Sequence, residues 1–336
     1  MENIFNLKYA ELELFILDIN EKKYRAKQLY EWLYKHKVFN YQEMSNLSNE
    51  LIEKLTINLS NQFIKIKEVQ KGEKAHKYLF ELLDGNFIEA VLMKHDYGNS
   101  LCVSSQVGCN MGCNFCESGR LKKVRDLLPY EMVQQILLVE EDINSAVIMG
   151  IGEPFDNYDN VMKFIRIINS PYGLALGARH ITISTCGIIP GIERFAEEDL
   201  QVNLAISLHA ANDELRTKLM PINQVYSLKE LIPTLKKYSK RTNRRITIEY
   251  VILRYINDSK EHAKELANLL KGMNVYVNLI PYNETSHLEF KKASADSLQV
   301  FYQVLKKAGI DITIRKEYGG DIEGACGQLR AGRIIK

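Results

Sequence analysis

Three cysteines stand close together in "GCNMGCNFCESG", residues 108–119. Cys109 is followed after three residues by Cys113, and Cys113 after two by Cys116. Thiolates grouped in one loop hold soft metals or iron–sulfur clusters. A structural zinc site takes four ligands, usually as two separated pairs. The nearest further thiol here is Cys102, seven residues upstream in the strand-like run "LCVSS". Three protein ligands on a four-iron cluster leave one iron open, and an open metal position is where a cofactor or substrate binds. The spacing therefore points to a reactive cluster, with a zinc loop or free thiols as the alternative. Gly108, Gly112 and Gly119 let the backbone fold closely around it.

The other cysteines are Cys186 and Cys326, and the first hundred residues contain none. Clustering of this kind speaks for a metal or redox site and against a disulfide framework. The chain has 336 residues, 46% hydrophobic and 26% charged, which suits one large domain plus a smaller one. No apolar run approaches the roughly 20 residues of a membrane helix. The start "MENIFNLKYAELELFILDINEKK" is interrupted by charges and unlike a signal peptide, so a cytoplasmic location is expected. A net charge of +2 neither requires nor excludes a nucleic-acid partner. Two stretches, "RLKKVR" (120–125) and "KKYSKRTNRR" (236–245), are locally basic. On charge alone they read as solvated faces.

These residues need elements to position them. The first 75 residues read as helical. In "YRAKQLYEWLYKHKVF", Leu29, Trp32 and Leu33 form one stripe, and Ser48 is placed to cap the helix in "SNELIEKL". Asp84-Gly85, between two apolar runs, signals a β-hairpin. On its second strand Phe87, Glu89 and Val91 share a face, which puts the Glu89 carboxylate in apolar company. From residue 100 onward, short strands ("LCVSS", "AVIMG", "HITIST", "NLAISL", "ITIEYVI", "VYVNLI", "IDITIR") alternate with amphipathic helices. That rhythm predicts a parallel α/β sheet with ligands at the C-terminal strand ends. Gly150 to Pro154, Ser184, Thr185, Ser207, His209 and Asn283 fall at those ends.

The cysteine spacing and "MGIGEP" (149–154) resemble the radical S-adenosylmethionine (SAM) superfamily. The resemblance narrows with "CVSSQVGCNMGCNFC" (102–116), "MGIGEPFDNYDNV" (149–161), "ARHITISTCGIIP" (178–190), "ISLHAANDELRTKLMPIN" (206–223) and "DIEGACGQLR" (321–330). Together with "YRAKQLYEWLY" (24–34), these resemble the RlmN/Cfr family of RNA adenosine methyltransferases over nearly the whole chain. The resemblance implies a partial (β/α)6 radical SAM barrel with a small N-terminal helical domain and a connecting β-hairpin. It divides the chain into residues 1–75, an RNA-binding accessory domain; 76–95, the hairpin linker; and 96–336, the catalytic domain.

It also implies roles. Cys109, Cys113 and Cys116 hold a 4Fe–4S cluster, and SAM chelates the open iron. Gly152, Glu153, Ser184, Ser207, Leu208, His209 and Asn283 match SAM-contacting positions. Cys326 matches a cysteine that one SAM methylates at sulfur; a second SAM, cleaved reductively, activates that methyl group for addition to adenine. Cys102 matches the thiol that resolves the resulting protein–RNA adduct through a transient disulfide with Cys326. Glu89 matches the proton acceptor. The implied product is a C2-methylated adenosine in 23S rRNA, with tRNA as a further substrate; the alternative is C8 methylation of the Cfr type. The partners implied are the RNA and an electron donor such as flavodoxin or ferredoxin, with the enzyme a monomer. The two basic stretches then read as phosphate contacts. The loop after Cys116 departs from the family: Leu121 and Lys122 stand where glycine is usual, and Asp126 where asparagine is usual.

Overall fold

Short apolar strands separated by amphipathic helices must pair in parallel, because each helix returns the chain to the same end of the sheet. The computed structural model has this arrangement and describes residues 1–285, 287–316 and 318–329. Arg330, the last residue of the "DIEGACGQLR" motif, lies outside the described residues.

The N-terminal region packs α1 (Tyr9–Asp18), α2 (Tyr24–Tyr34) and α3 (Asn49–Asn58). Strands β1 (Glu2–Asn3) and β2 (Leu59–Ser60) pair in parallel and clip its two ends together. Leu29 and Leu33 are buried on α2, and the Ser48 hydroxyl accepts the Leu51 N–H at 3.3 Å to cap α3.

The helical reading of the first 75 residues is corrected at its end. "KIKEVQK" forms β3 (Lys65–Lys71), an exposed edge strand. Its three lysines are what a sheet edge carries to discourage pairing with another chain. The chain then runs through β4 (Ala75–Glu81), β5 (Phe87–His95) and β6 (Gly98–Val103), each antiparallel to the one before. Asp84-Gly85 makes the β4–β5 turn, with Gly85 at φ +81°. The predicted hairpin is thus the middle of a longer antiparallel ribbon.

At β6 the sheet changes character. A two-stranded clasp, β7 (Gln106–Val107) with β8 (Arg125–Asp126), is followed by α4 (Pro129–Leu137) and β9 (Ile143–Ile148), which pairs with β6 in parallel. Next come α5 (Tyr158–Asn169), β10 (Ile181–Thr185), α6 (Ile189–Phe195), β11 (Asn203–Ser207), α7 (Asp213–Leu219) and α8 (Leu228–Thr242). The chain ends with β12 (Ile246–Ile252), α9 (Lys260–Leu269), β13 (Val275–Pro281), α10 (Ala295–Lys307) and β14 (Asp311–Ile314).

Among the described residues the order is β14-β13-β12-β11-β10-β9-β6-β5-β4-β3, parallel from β14 to β6. The sheet does not close on itself, since β14 and β3 are its edges. It is a partial barrel, and the segment after β14 folds back over the ribbon. The seven strands predicted beyond residue 100 all form. The alternating helices form as well; α6 and α7 are seven residues each, too short to show a full apolar stripe.

Candidate active site

The β7–β8 clasp closes the base of the cysteine loop. Its hydrogen bonds continue outward, from the Val124 N–H to the Val107 carbonyl and from the Cys109 N–H to the Leu121 carbonyl. A Cβ added at Gly119 would stand 2.6 Å from the Cys113 carbonyl oxygen, so this turn of the loop admits only glycine. Cys109, Cys113 and Cys116 line one cavity together with Gly152, Glu153, Ser184, Ser207 and His209. The sequence placed these residues at the ends of separate strands, and the fold brings them to one wall.

Each is fixed by its backbone surroundings. Gly152 has φ +107°, and a Cβ there would lie 2.6 Å from the Cβ of Gln106. Glu153 is buried; its carboxylate accepts the Phe155 N–H at 3.0 Å and the Cys186 N–H at 2.8 Å. Burial raises its pKa, while those donors oppose the rise. His209 Nδ1 accepts the Val251 N–H at 3.0 Å, so the ring presents Nε2 as its N–H. Burial, with the Arg216 charge beside it, depresses the His209 pKa to about 3, which keeps the ring neutral. Leu208 is different: its side chain is fully buried, and only its backbone faces polar partners, with its carbonyl accepting Arg216 Nε at 3.2 Å.

Cys326 lines this cavity and also an adjoining one, which holds Cys102 and Asn283. The Cys326 thiol is close enough to Cys102 to help raise the Cys102 pKa. The segment carrying Cys326 is sutured to the cysteine loop. The Glu117 N–H donates to the Gly327 carbonyl at 2.8 Å, and the Ser118 hydroxyl to the Leu329 carbonyl at 2.5 Å. All six cysteines are free, so the disulfide implied between Cys102 and Cys326 is not formed in the structure. Burial pushes the Cys102 thiol up to about 12, and a protonated thiol is the stable form there. Glu89 lines neither cavity; it sits on β5, buried, 3.7 Å from Lys77 Nζ.

The residues fit a cluster and SAM. Among the described residues no three His, Cys, Asp or Glu side chains converge closely enough for one bare metal ion. A cluster does not need that convergence, because each thiolate binds a different iron. The cavity wall also carries buried polar atoms that lack a protein partner, the Glu249 Oε2 and the Tyr282 hydroxyl. Such atoms are costly unless a ligand satisfies them. Replacing any one of Cys109, Cys113 and Cys116 with alanine is expected to abolish retention of iron after anaerobic reconstitution. Measured iron and sulfide at wild-type levels in a Cys113→Ala protein would contradict the assignment.

Sequence reading missed three residues of this site. Arg315, just past β14, lines both cavities beside Cys102 and Cys326, and the thiols there hold its pKa above the usual arginine range. Glu249 lies on β12, where a lone carboxylate in "ITIEYVI" was the available signal, the same one that singled out Glu89. Arg216 is fully buried and reaches across to the ends of two strands, donating to the Cys186 carbonyl at 2.7 Å and to that of Leu208.

The reading of the basic stretches as phosphate contacts is not supported near the site. Lys123 pairs with Asp126 and Asp156, and Arg125 with Glu131 and Asp84, so much of the charge at 120–125 is satisfied internally. Residues 236–245 end α8 and lead into the start of β12, at the end of the sheet opposite the cysteines.

Comparison with known proteins agrees with this geometry. Residues 103–270 match the radical SAM superfamily, and residues 2–60 match the ribosomal RNA large subunit methyltransferase N-terminal domain. The chain is 52% identical over 335 residues to a probable dual-specificity RNA methyltransferase RlmN from Thermoanaerobacter sp. (strain X514), covering 98% of each. It is 51% identical over 338 residues to the protein of that name from Acholeplasma laidlawii, covering 98% of this chain and 99% of the other. The chain belongs to the RlmN family of radical SAM RNA methyltransferases. A crystal structure of a radical SAM methyltransferase from Sphaerobacter thermophilus superposes with a TM-score of 0.95 at 39% identity, over 98% of this chain and 100% of that one. As an RlmN-family enzyme the protein uses a 4Fe–4S cluster and SAM. Among the described residues no helix is long and apolar enough to cross a membrane.

Proposed function

We propose that the enzyme methylates C2 of an adenosine in 23S rRNA and of an adenosine in tRNA, through a methylated Cys326. The observation that carries this reading is the placement of Cys326, which borders both the cavity of the cluster cysteines and the cavity of Cys102. The adenine carbon is a poor nucleophile, so ordinary methyl transfer to it is disfavoured. When bound, the cluster supplies the electron that cleaves SAM and starts radical chemistry.

The chain's own residues do the rest. Cys109, Cys113 and Cys116 hold the cluster. Gly152, Glu153, Ser184, Ser207, His209, Asn283 and the Leu208 backbone orient SAM. Cys326 carries the one-carbon unit at sulfur to the adenine. Glu89 takes the proton that leaves the adenine carbon. The Cys102 thiolate would then attack the Cys326 sulfur; the carbon–sulfur bond breaks, its electron pair takes up a proton to complete the methyl group, and the disulfide left behind is reopened by two electrons from the reducing cytoplasm. The dual specificity in the names of its relatives supports both RNA classes. We assign the electron supply to a small donor such as flavodoxin or ferredoxin, and the working form to a monomer.

The test is anaerobic reconstitution, incubation with SAM, reductant and either a 23S rRNA fragment or tRNA, then nucleoside mass spectrometry against 2-methyl- and 8-methyladenosine standards. The reading expects the 2-methyl product from both RNAs. The 8-methyl product, or 5′-deoxyadenosine with no methylated base, would overturn it.

A further inference from the structure

Lys77 is a buried cation with two anchors. It lies on β4 directly opposite Val91 of β5, and Val91 lies opposite Cys102 of β6. Residues in register share a face, so these three form one row across the ribbon. Glu89 lies two residues from Val91 on β5 and points to that same face. Lys77 Nζ is 3.7 Å from Glu89 Oε1, and the two side chains are only 8% and 7% exposed. The same Nζ donates to the Glu323 carbonyl at 3.3 Å. Glu323 stands three residues before Cys326, in the segment that folds back over the ribbon.

A buried ion pair is a poor way to stabilise a sheet. Desolvating both charges offsets most of their attraction, and apolar residues of similar size are often as stable. The register suggests another reason for the pair. One ammonium joins the strand bearing Glu89 to the segment bearing Cys326.

We propose that Lys77 is a positioning residue of the reaction: its ammonium fixes the Glu89 carboxylate relative to the Cys326 segment, so that the proton leaving the adenine carbon meets an oriented acceptor. This rests on the role given to Glu89 in the proposed function. The Lys77 ammonium is engaged by the Glu89 carboxylate and the Glu323 carbonyl, so its effect on the reaction passes through Glu89.

The test compares wild type, Lys77→Met and Lys77→Arg as full-length reconstituted enzymes with SAM, reductant and 23S rRNA fragment. Three products are measured together: methylation of Cys326 by peptide mass, 5′-deoxyadenosine and methylated adenosine. Lys77→Met is expected to keep Cys326 methylation and 5′-deoxyadenosine formation. Its yield of methylated adenosine per 5′-deoxyadenosine should fall about a hundredfold, the scale of a misplaced catalytic group. Lys77→Arg should recover most of that yield. If all three products fall together in Lys77→Met, the residue is only structural and the proposal fails. An unchanged ratio also defeats it. A wild-type enzyme that makes no methylated adenosine would instead overturn the reading beneath it.

Discussion

Replacing Cys102 with alanine is expected to halt the enzyme at a covalent protein–RNA species after at most one turnover. In the proposed reaction the carbon carried on the Cys326 sulfur bonds to adenine, so the base would stay tethered until a second thiol attacks that sulfur. Cys102 is the free thiol outside the cluster loop that lines the adjoining cavity with Cys326. Labelled RNA should then migrate with the protein on a denaturing gel and be released by nuclease. Free, methylated RNA produced by Cys102→Ala over many turnovers would remove Cys102 from the mechanism.

The same step is expected to give the wild-type enzyme a pH signature. Burial pushes the Cys102 thiol up to about 12, although the Arg315 guanidinium favours the thiolate. Only the thiolate attacks, so release of the tethered base should accelerate by about tenfold per pH unit while pH stays below that value. A release rate flat between neutral and mildly alkaline pH would mean that another group resolves the species.

The second large effect concerns stability. Arg216 is fully buried. Burial lowers its pKa, and its guanidinium is held by oxygen atoms. It donates to the carbonyls of Cys186 at 2.7 Å and Leu208 at 3.2 Å and to Asn223 Oδ1 at 2.8 Å. Those carbonyls end β10 and begin the turn after β11, next to Ser184, Ser207 and His209. Arg216→Met keeps most of the side-chain volume but leaves these acceptors without donors. At about 1–3 kcal/mol for each buried group left unsatisfied, the loss should reach about 3 kcal/mol or more. That is a large share of a typical folding free energy. Chemical denaturation measures it directly. A variant within about 0.5 kcal/mol of wild type, the range of ordinary surface changes, would show that the network does not hold the strand ends.

The parts legible in the sequence are those whose signal is local. The seven strands beyond residue 100 are short apolar runs because parallel strands are covered on both faces. The cluster loop shows in its spacing, and the turn glycines show because Gly119 and Gly152 stand where a Cβ would collide. What stayed hidden depends on tertiary neighbours. Arg315 and Lys77 look like solvent-facing strand residues until the register puts one beside two thiols and the other beside Glu89. "KIKEVQK" reads as helix or strand until its neighbour β4 is in place. The charge of "RLKKVR" looked available because, apart from the adjacent Asp126, its acidic partners Asp84, Glu131 and Asp156 lie outside the stretch.

In the proposed reaction the added carbon passes through the Cys326 sulfur. Incubation with SAM bearing a trideuterated methyl group tests it most directly, starting from enzyme whose Cys326 has been loaded with that label. Radical activation removes one deuterium from the S-methyl group before the carbon reaches adenine. Passage through Cys326 therefore gives methylated adenosine carrying two deuterium atoms, with the third in 5′-deoxyadenosine. A product that keeps all three would show transfer of an intact methyl group and rule out passage through Cys326.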